Sequence, residues 1–237
     1  MSAEKTLVYA PGQDERWLYR VGGASALLLG LGYIIIIPLY MSAGAPPHEA
    51  GAWLAYLAGK TAVWWAILAL SVLTDLLFIP LVFALYFVLK GVNRSVTQLA
   101  TAFVGLFVVL DLAVTWPNYA ALITLGERYA GATGDAQRAA YVAAAQYPSA
   151  VLASALAAVY SILVPSLGIL LMGLVMPKSA FGKTIAYVGV VTGLLGIVSV
   201  VGPFALPALS NGIIIASALT TIWVLFVGFR LLRLGRS

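Results

Sequence analysis

Six stretches of this chain run for about 20 residues or more with almost no charge, at roughly 17–41, 61–89, 96–125, 148–176, 184–203 and 209–230. A helix needs about 20 apolar residues to cross the hydrocarbon of a bilayer. Every backbone polar group must find its partner inside the segment there, because lipid offers none. The fold class is therefore all-α: a polytopic integral membrane protein with six transmembrane helices in one bundle, a single membrane domain over residues 1–237. Composition agrees. Of the residues, 62% are hydrophobic and 9% charged, whereas a soluble domain carries about 25% charged residues.

Prolines mark many of the breaks. Pro46 and Pro47 follow the first span, Pro148 opens the fourth and Pro177 closes it, and Pro203 and Pro207 make the turn between the fifth and sixth. Ala43-Gly44-Ala45 resembles a signal cleavage site, but the apolar run before it exceeds the 7–15 residues of a signal core. The first span is read as a retained helix. The largest loop, about 126–147, holds no soluble domain; Asp135 to Tyr147 reads as a short Ala-rich helix on the membrane surface.

Charge sets the orientation. With six spans, the two termini and the second and fourth loops share one side. That side holds ten of the 13 basic residues: Lys5, Arg16, Arg20, Lys90, Arg94, Lys178, Lys183, Arg230, Arg233 and Arg236. The other side holds Lys60, Arg128 and Arg138. This positive-inside bias predicts that both termini are cytoplasmic. Topology also accounts for the net charge of +5, so no nucleic-acid partner is expected. Trp17, Tyr19, Tyr40, Trp53 and Tyr56 sit near span ends, where an aromatic belt is expected.

Two acidic residues break the apolar pattern. Asp75 and Asp111 each sit in mid-span with no basic residue at their depth. A carboxylate there costs about 2.5–3.5 kcal/mol on insertion scales. Asp75 lies fourteen residues before Leu89 and Asp111 fifteen after Val96. At about 1.5 Å per residue, both fall roughly 21–22 Å from the loop joining their spans. Sequence alone does not say whether they face each other. Ser71 precedes Asp75 by four residues; Thr115 and Asn118 follow Asp111 by four and seven, on the same helical face. Pro80 and Pro117 each follow an aspartate by five or six residues and free a backbone carbonyl in the preceding turn. Asp75, Asp111, Ser71, Thr115 and Asn118 are thus the candidate ion- or proton-binding residues. Two readings compete: protonated aspartates acting as glue between helices, or a site that binds and releases a proton or small cation.

Other signals are weaker. Small residues recur at spacing four: Gly22, Ala26 and Gly30; Ala150, Ser154 and Ala158; Gly189 and Gly193; Gly212 and Ala216. They mark either contacts inside one bundle, the preferred reading, or a homo-oligomer interface. Gly59-Lys60-Thr61 and Gly182-Lys183-Thr184 open the second and fifth spans, as an inverted repeat would, but Asp75 then aligns with Val198 and the other spans match poorly. Neither tripeptide is a phosphate-binding loop, since Leu54 and Pro177 stand where its first glycine belongs. Trp64, Trp65 and Trp116 either line a pocket for an apolar ligand or, the preferred reading, meet lipid. Ser154, Ser161, Thr192, Ser199, Thr220 and Thr221 either extend a polar path or bond their own helix backbone.

Several chemistries are set aside. There is no cysteine, which removes disulfides, thiolate metal sites and thiol catalysis. The one histidine, His48, lies in a Pro-rich loop, so a paired-histidine haem site and a serine–histidine site are not built within one chain. No lysine lies at mid-span for a retinal Schiff base. No HExxH or acidic metal cluster appears, and the Tyr-Asp and Gly-x-Gly-Asp motifs of intramembrane aspartyl proteases are absent. No cofactor is expected, and an intramembrane enzyme ranks last.

Asp75-Leu-Leu-Phe-Ile-Pro80, Leu85-Tyr86, Lys90 and Asn93-Arg94, with the segment from Pro177 through Gly196, resemble a prokaryotic family of six-span membrane proteins labelled domain of unknown function 4386. The resemblance covers most of the chain. It implies an all-helical six-span fold in the prokaryotic cytoplasmic membrane and no activity. The leading functional reading is a small transporter or channel-like protein that binds a proton, cation or small solute between the second and third spans. The alternative is a non-catalytic subunit that anchors or organises a larger complex, its aspartates pairing with a membrane partner's basic residue.

Overall fold

A computed structural model describes residues 13–47, 49–206, 209 and 212–236. Lys5, His48 and Pro207 lie outside the described residues. Among those described, the secondary structure is helical throughout, with no strand. Six helices are long and apolar enough to cross a membrane. In chain order the elements are α1 (Gln13–Ala43), a short α2 (Ala50–Leu57), α3 (Thr61–Leu89), α4 (Arg94–Ala130), a second non-spanning helix α5 (Asp135–Leu152), then α6 (Ala155–Lys178), α7 (Gly182–Phe204) and α8 (Gly212–Leu234).

The spans form a ring in sequence order. The principal contacts join α1 to α3, α3 to α4, α4 to α6, α6 to α7, α7 to α8, and α8 back to α1. Small residues make the seams. A side chain at Gly22 would strike Ala84 and Pro80 on α3, and one at Gly23 would strike Leu232 and Gly228 on α8. Gly189 makes room for Trp223, and Gly193 for the backbone of α6 at Ser166 and Leu170. These spacing-four glycines are contacts inside one bundle. Gly59 and Gly182 both adopt φ +78°, a conformation that side chains with a Cβ rarely take. Turn geometry at each helix start therefore explains both glycines without invoking a repeat.

The basic ends of the helices meet at one end of the bundle. Lys90 pairs with Glu15 at 3.1 Å. Arg20 Nε donates to Gly235 O at 2.7 Å, and Arg230 Nε to Ala180 O. Asn93 caps α4 by accepting from the Val96 N–H at 3.1 Å. A hydrophobic core running from Tyr19 and Leu29 through Leu85 and Met172 to Leu231 fills this half.

The opposite half departs from the sequence expectation in three places. First, α4 runs 37 residues to Ala130, about 55 Å at the α-helical rise. That exceeds the roughly 30 Å hydrocarbon thickness, so one end of α4 projects and carries a cap. Second, the segment after Pro47, expected as a loop, contains α2, which packs on the projecting part of α4. Third, the fourth span starts at Ala155, not at Pro148. Pro148 lies inside α5, which packs on α2 and α4 through Tyr141, Val142 and Ala145. The chain turns at Ser154, whose backbone is extended and whose hydroxyl accepts from the Ala157 N–H at 3.2 Å, restarting the helix. Ala150 and Ser154 therefore do not continue a small-residue seam with Ala158.

The cap has its own aromatic core. Trp64 is 1% exposed and stacks on Tyr119 at 5.3 Å between centroids. Tyr40, Trp53 and Tyr56 meet it edge-on. Trp53 and Trp64 are thus buried core residues, not belt or lipid contacts, and Tyr19 is likewise buried at the other end. Trp17 and Trp65 remain exposed, although Trp65 donates its indole N–H to Glu127 at 3.0 Å.

The seams are testable by overpacking. A Cβ on Gly173 would lie 2.7 Å from the Val190 amide nitrogen and 3.0 Å from Ala186 O, both backbone atoms of α7. Gly173→Val should lower stability by about 1–3 kcal/mol, read as a drop in the melting midpoint in detergent. Gly105→Val, where nothing lies within 4 Å, should leave that midpoint unchanged.

Candidate functional site

Prolines and polar residues in the middle of the spans shape the ring's interior. Pro117 cannot donate to the carbonyl four residues back, and its ring crowds that carbonyl. The helix relieves this by widening into a π-helical segment over Asp111–Thr115, closed by the Trp116 N–H on Asp111 O. The facing helix does the same ahead of Pro165: Val159–Leu163 is π-helical, closed by the Val164 N–H on Val159 O. Single π turns inside α-helices are frequent at functional sites. Here the two wide turns face each other and place Asp111 against Ser161.

A cavity of about 280 Å³ lies inside the ring and is lined by residues of all six spans. Tyr33 and Tyr40 come from α1; Ser71, Thr74 and Asp75 from α3; Phe107, Asp111 and Trp116 from α4. Ser161 and Ser166 on α6, Thr192 and Gly196 on α7, and Ser217, Thr220 and Thr221 on α8 complete the wall. The two carboxylates therefore share one chamber. Asp75 is 3% exposed and Asp111 5%.

Each aspartate is held by neutral donors. The Trp116 indole N–H donates to Asp75 Oδ2. Thr115 Oγ1 and Ser161 Oγ donate to Asp111 Oδ1 at 2.7 and 2.6 Å. Among the described residues no donor meets the second oxygen of either carboxylate, and no Lys, Arg or His lines the chamber. No group of three or more His, Cys, Asp or Glu side chains is arranged to hold a metal ion among those residues.

The structure brings together Asp75, Asp111 and Ser71 on the chamber wall, with Thr115 behind Asp111. Asn118 is not brought in: its Nδ2 donates to Val114 O at 2.7 Å, and the residue is absent from the wall. The π turn shifts the helical register after Asp111, so spacing of seven no longer keeps Asn118 on the face of Asp111. Trp116 is a correction of a different kind. Its sequence signal, a lone Trp in an apolar run, reads as lipid contact, yet it is the donor to Asp75. Ser161 stood among six hydroxyls that extend a polar path or bond their own helix, and it does the former. Pro165, four residues after it, is the signal that singles it out.

Comparison of the chain with models of known protein families, with curated proteins and with solved structures found no match.

The hydroxyl pair on Asp111 makes a quantitative test. Ser161→Ala with Thr115→Val should destabilise the folded protein by about 1–3 kcal/mol, because an acceptor of high charge density loses both donors. Introducing Asp111→Leu into that double variant should cost less than the same change in the natural sequence, with a coupling of about 0.5–3 kcal/mol. Thermal scans of the variants in one detergent measure it; strict additivity would mean that these hydrogen bonds contribute nothing.

Proposed function

We propose that this chain is a small transporter or channel-like protein of the prokaryotic cytoplasmic membrane, binding a proton, a cation or a small solute at the mid-membrane carboxylates. The observation that carries the reading is the chamber itself: two carboxylates, walled by every span, with no basic residue on that wall among the described residues. A buried charge without a partner costs several kcal/mol, and ionisable groups inside a membrane bundle mark ion pathways by default. A positive charge arriving from solution relieves that cost, and its departure restores it. Such a site binds and releases.

The geometry favours this over the anchoring-subunit alternative. Both aspartates line a cavity walled by all six spans, a setting that suits a ligand entering the bundle better than a neighbouring subunit's basic side chain. The proposed orientation puts both termini in the cytoplasm. It is supported by the clustering of Arg20, Lys90 and Arg230 at the end of the bundle where α1 begins and α8 finishes and by the positive-inside rule. Membership of the six-span family of domain of unknown function 4386 is part of the same proposal and rests on the residues that carry the resemblance.

Two experiments address it. Asp75→Asn and Asp111→Asn should each leave a monodisperse folded protein. Each should lower cation or proton flux in proteoliposomes about tenfold or more, equivalent to ~1.4 kcal/mol or more of lost ion stabilisation. Flux unchanged in both variants would remove the transport reading. Because the chain has no cysteine, single cysteines report topology directly. Ser179→Cys should be shielded from an impermeant maleimide in intact cells, and Thr133→Cys should react.

A further inference from the structure

We propose that the central chamber takes a small organic cation rich in N–H donors, a protonated primary amine or a guanidinium, in preference to a bare metal ion or a quaternary ammonium. The proposal rests on the transport reading and names its substrate class.

Size is the first argument. The chamber's volume, about 280 Å³, sits near the bottom of the ~300–1,000 Å³ range of small-molecule sites. It is far larger than a dehydrated ion needs, and a tight all-oxygen cage is not what surrounds it. Tyr33, Tyr40, Phe78, Phe107 and Trp116 contribute rings to the wall. Aromatic faces attract organic cations through the ring quadrupole and supply the apolar contact that a carbon skeleton wants.

The second argument is the direction of the hydrogen bonds. A hydroxyl has one proton and two lone pairs. On the chamber wall, Thr74, Thr192, Thr220 and Thr221 each spend that proton on a backbone carbonyl of their own helix, at 2.7–2.9 Å. Ser161 spends its proton on Asp111, and the Trp116 N–H is spent on Asp75. What these groups turn to the interior is lone pairs. Tyr33, Tyr40, Ser71, Ser166 and Ser217 add hydroxyls that can donate as well as accept. With one oxygen of each carboxylate unmet among the described residues, the wall as a whole is acceptor-rich and negatively charged. Its complement is a cation with several N–H donors and no acceptor, which describes an ammonium or guanidinium group. A quaternary ammonium matches the rings and the charge but offers no N–H.

The test uses the full chain in lipid nanodiscs, titrated calorimetrically with guanidinium, n-butylammonium, tetramethylammonium and sodium. Guanidinium and n-butylammonium should bind, with tetramethylammonium and sodium about tenfold or more weaker. Asp75→Asn and Asp111→Asn should each weaken amine binding roughly tenfold to a hundredfold, as loss of a charge-assisted bond requires. Asp135→Asn, an acid on α5 outside the chamber, should change nothing. A second readout needs no variant: n-butylammonium should slow carbodiimide modification of Asp75 and Asp111 in the natural sequence and leave Asp135 unaffected. Tetramethylammonium or sodium binding as tightly as n-butylammonium overturns the substrate class. So does unchanged carbodiimide labelling. If either occurs while flux in liposomes still depends on the two aspartates, the substrate class falls and the transport reading stands. If flux is also independent of them, both fall.

Discussion

Two carboxylates inside a bundle surrounded by oil stay there because neutral donors reach one oxygen of each: an indole for Asp75, a pair of hydroxyls for Asp111. A hydrogen bond to a charged group contributes about 1.5–3 kcal/mol, while burying an unpaired ion costs several. The donors therefore offset part of the cost and leave a remainder. That remainder falls on the second oxygen of each carboxylate, which no donor meets among the described residues. Stability and occupancy of the chamber are coupled through the same atoms.

The backbone arrangement serves those bonds. Pro117 and Pro165 each widen a turn of their helix, and the two widened turns face each other across the α4–α6 seam. Across that seam Ser161 reaches Asp111, beside Thr115 from the same helix as the aspartate. Glycines at the other seams let the six helices close tightly enough that one chamber, not several crevices, forms between them. The aromatic cap of α2, α5 and the projecting part of α4 sits beside it. Trp116 links the two regions, stacking on Tyr119 of the cap core while it holds Asp75.

The spans were legible because hydropathy reports lipid contact directly, and all six emerge in their order, with the far end of the third and the start of the fourth displaced. Asp75 and Asp111 were legible for the complementary reason: an acid in an apolar run needs an explanation, as a neutral link between helices or as a binding site, and the structure places both on one cavity wall. Helix periodicity from Asp111 correctly reached Thr115, four residues on, but failed at Asn118, because a π turn intervenes and periodicity assumes an unbroken α-helix. The start of the fourth span was misplaced because Pro148 reads as a boundary, whereas Ser154, a good N-cap, is the residue that turns the chain. The short helix α2 was missed although Ala50, Trp53, Leu54 and Leu57 carry a helical spacing; eight residues beside two prolines look like loop. For Trp116 the sequence offered a pocket wall beside the preferred lipid contact, and only the fold decides between them and supplies the carboxylate that its indole meets.

The order of the ring has an assembly consequence. Each span packs on its predecessor, and the first five by themselves form an arc with a groove along its inner side. The wall contributed by Ser217, Thr220 and Thr221 arrives only when α8 docks back on α1. Until that moment the two aspartates face an open trough in the membrane. The contact of α8 with α1 is therefore the gatepost of the cleft, and any slackness there would widen the way from the site to lipid.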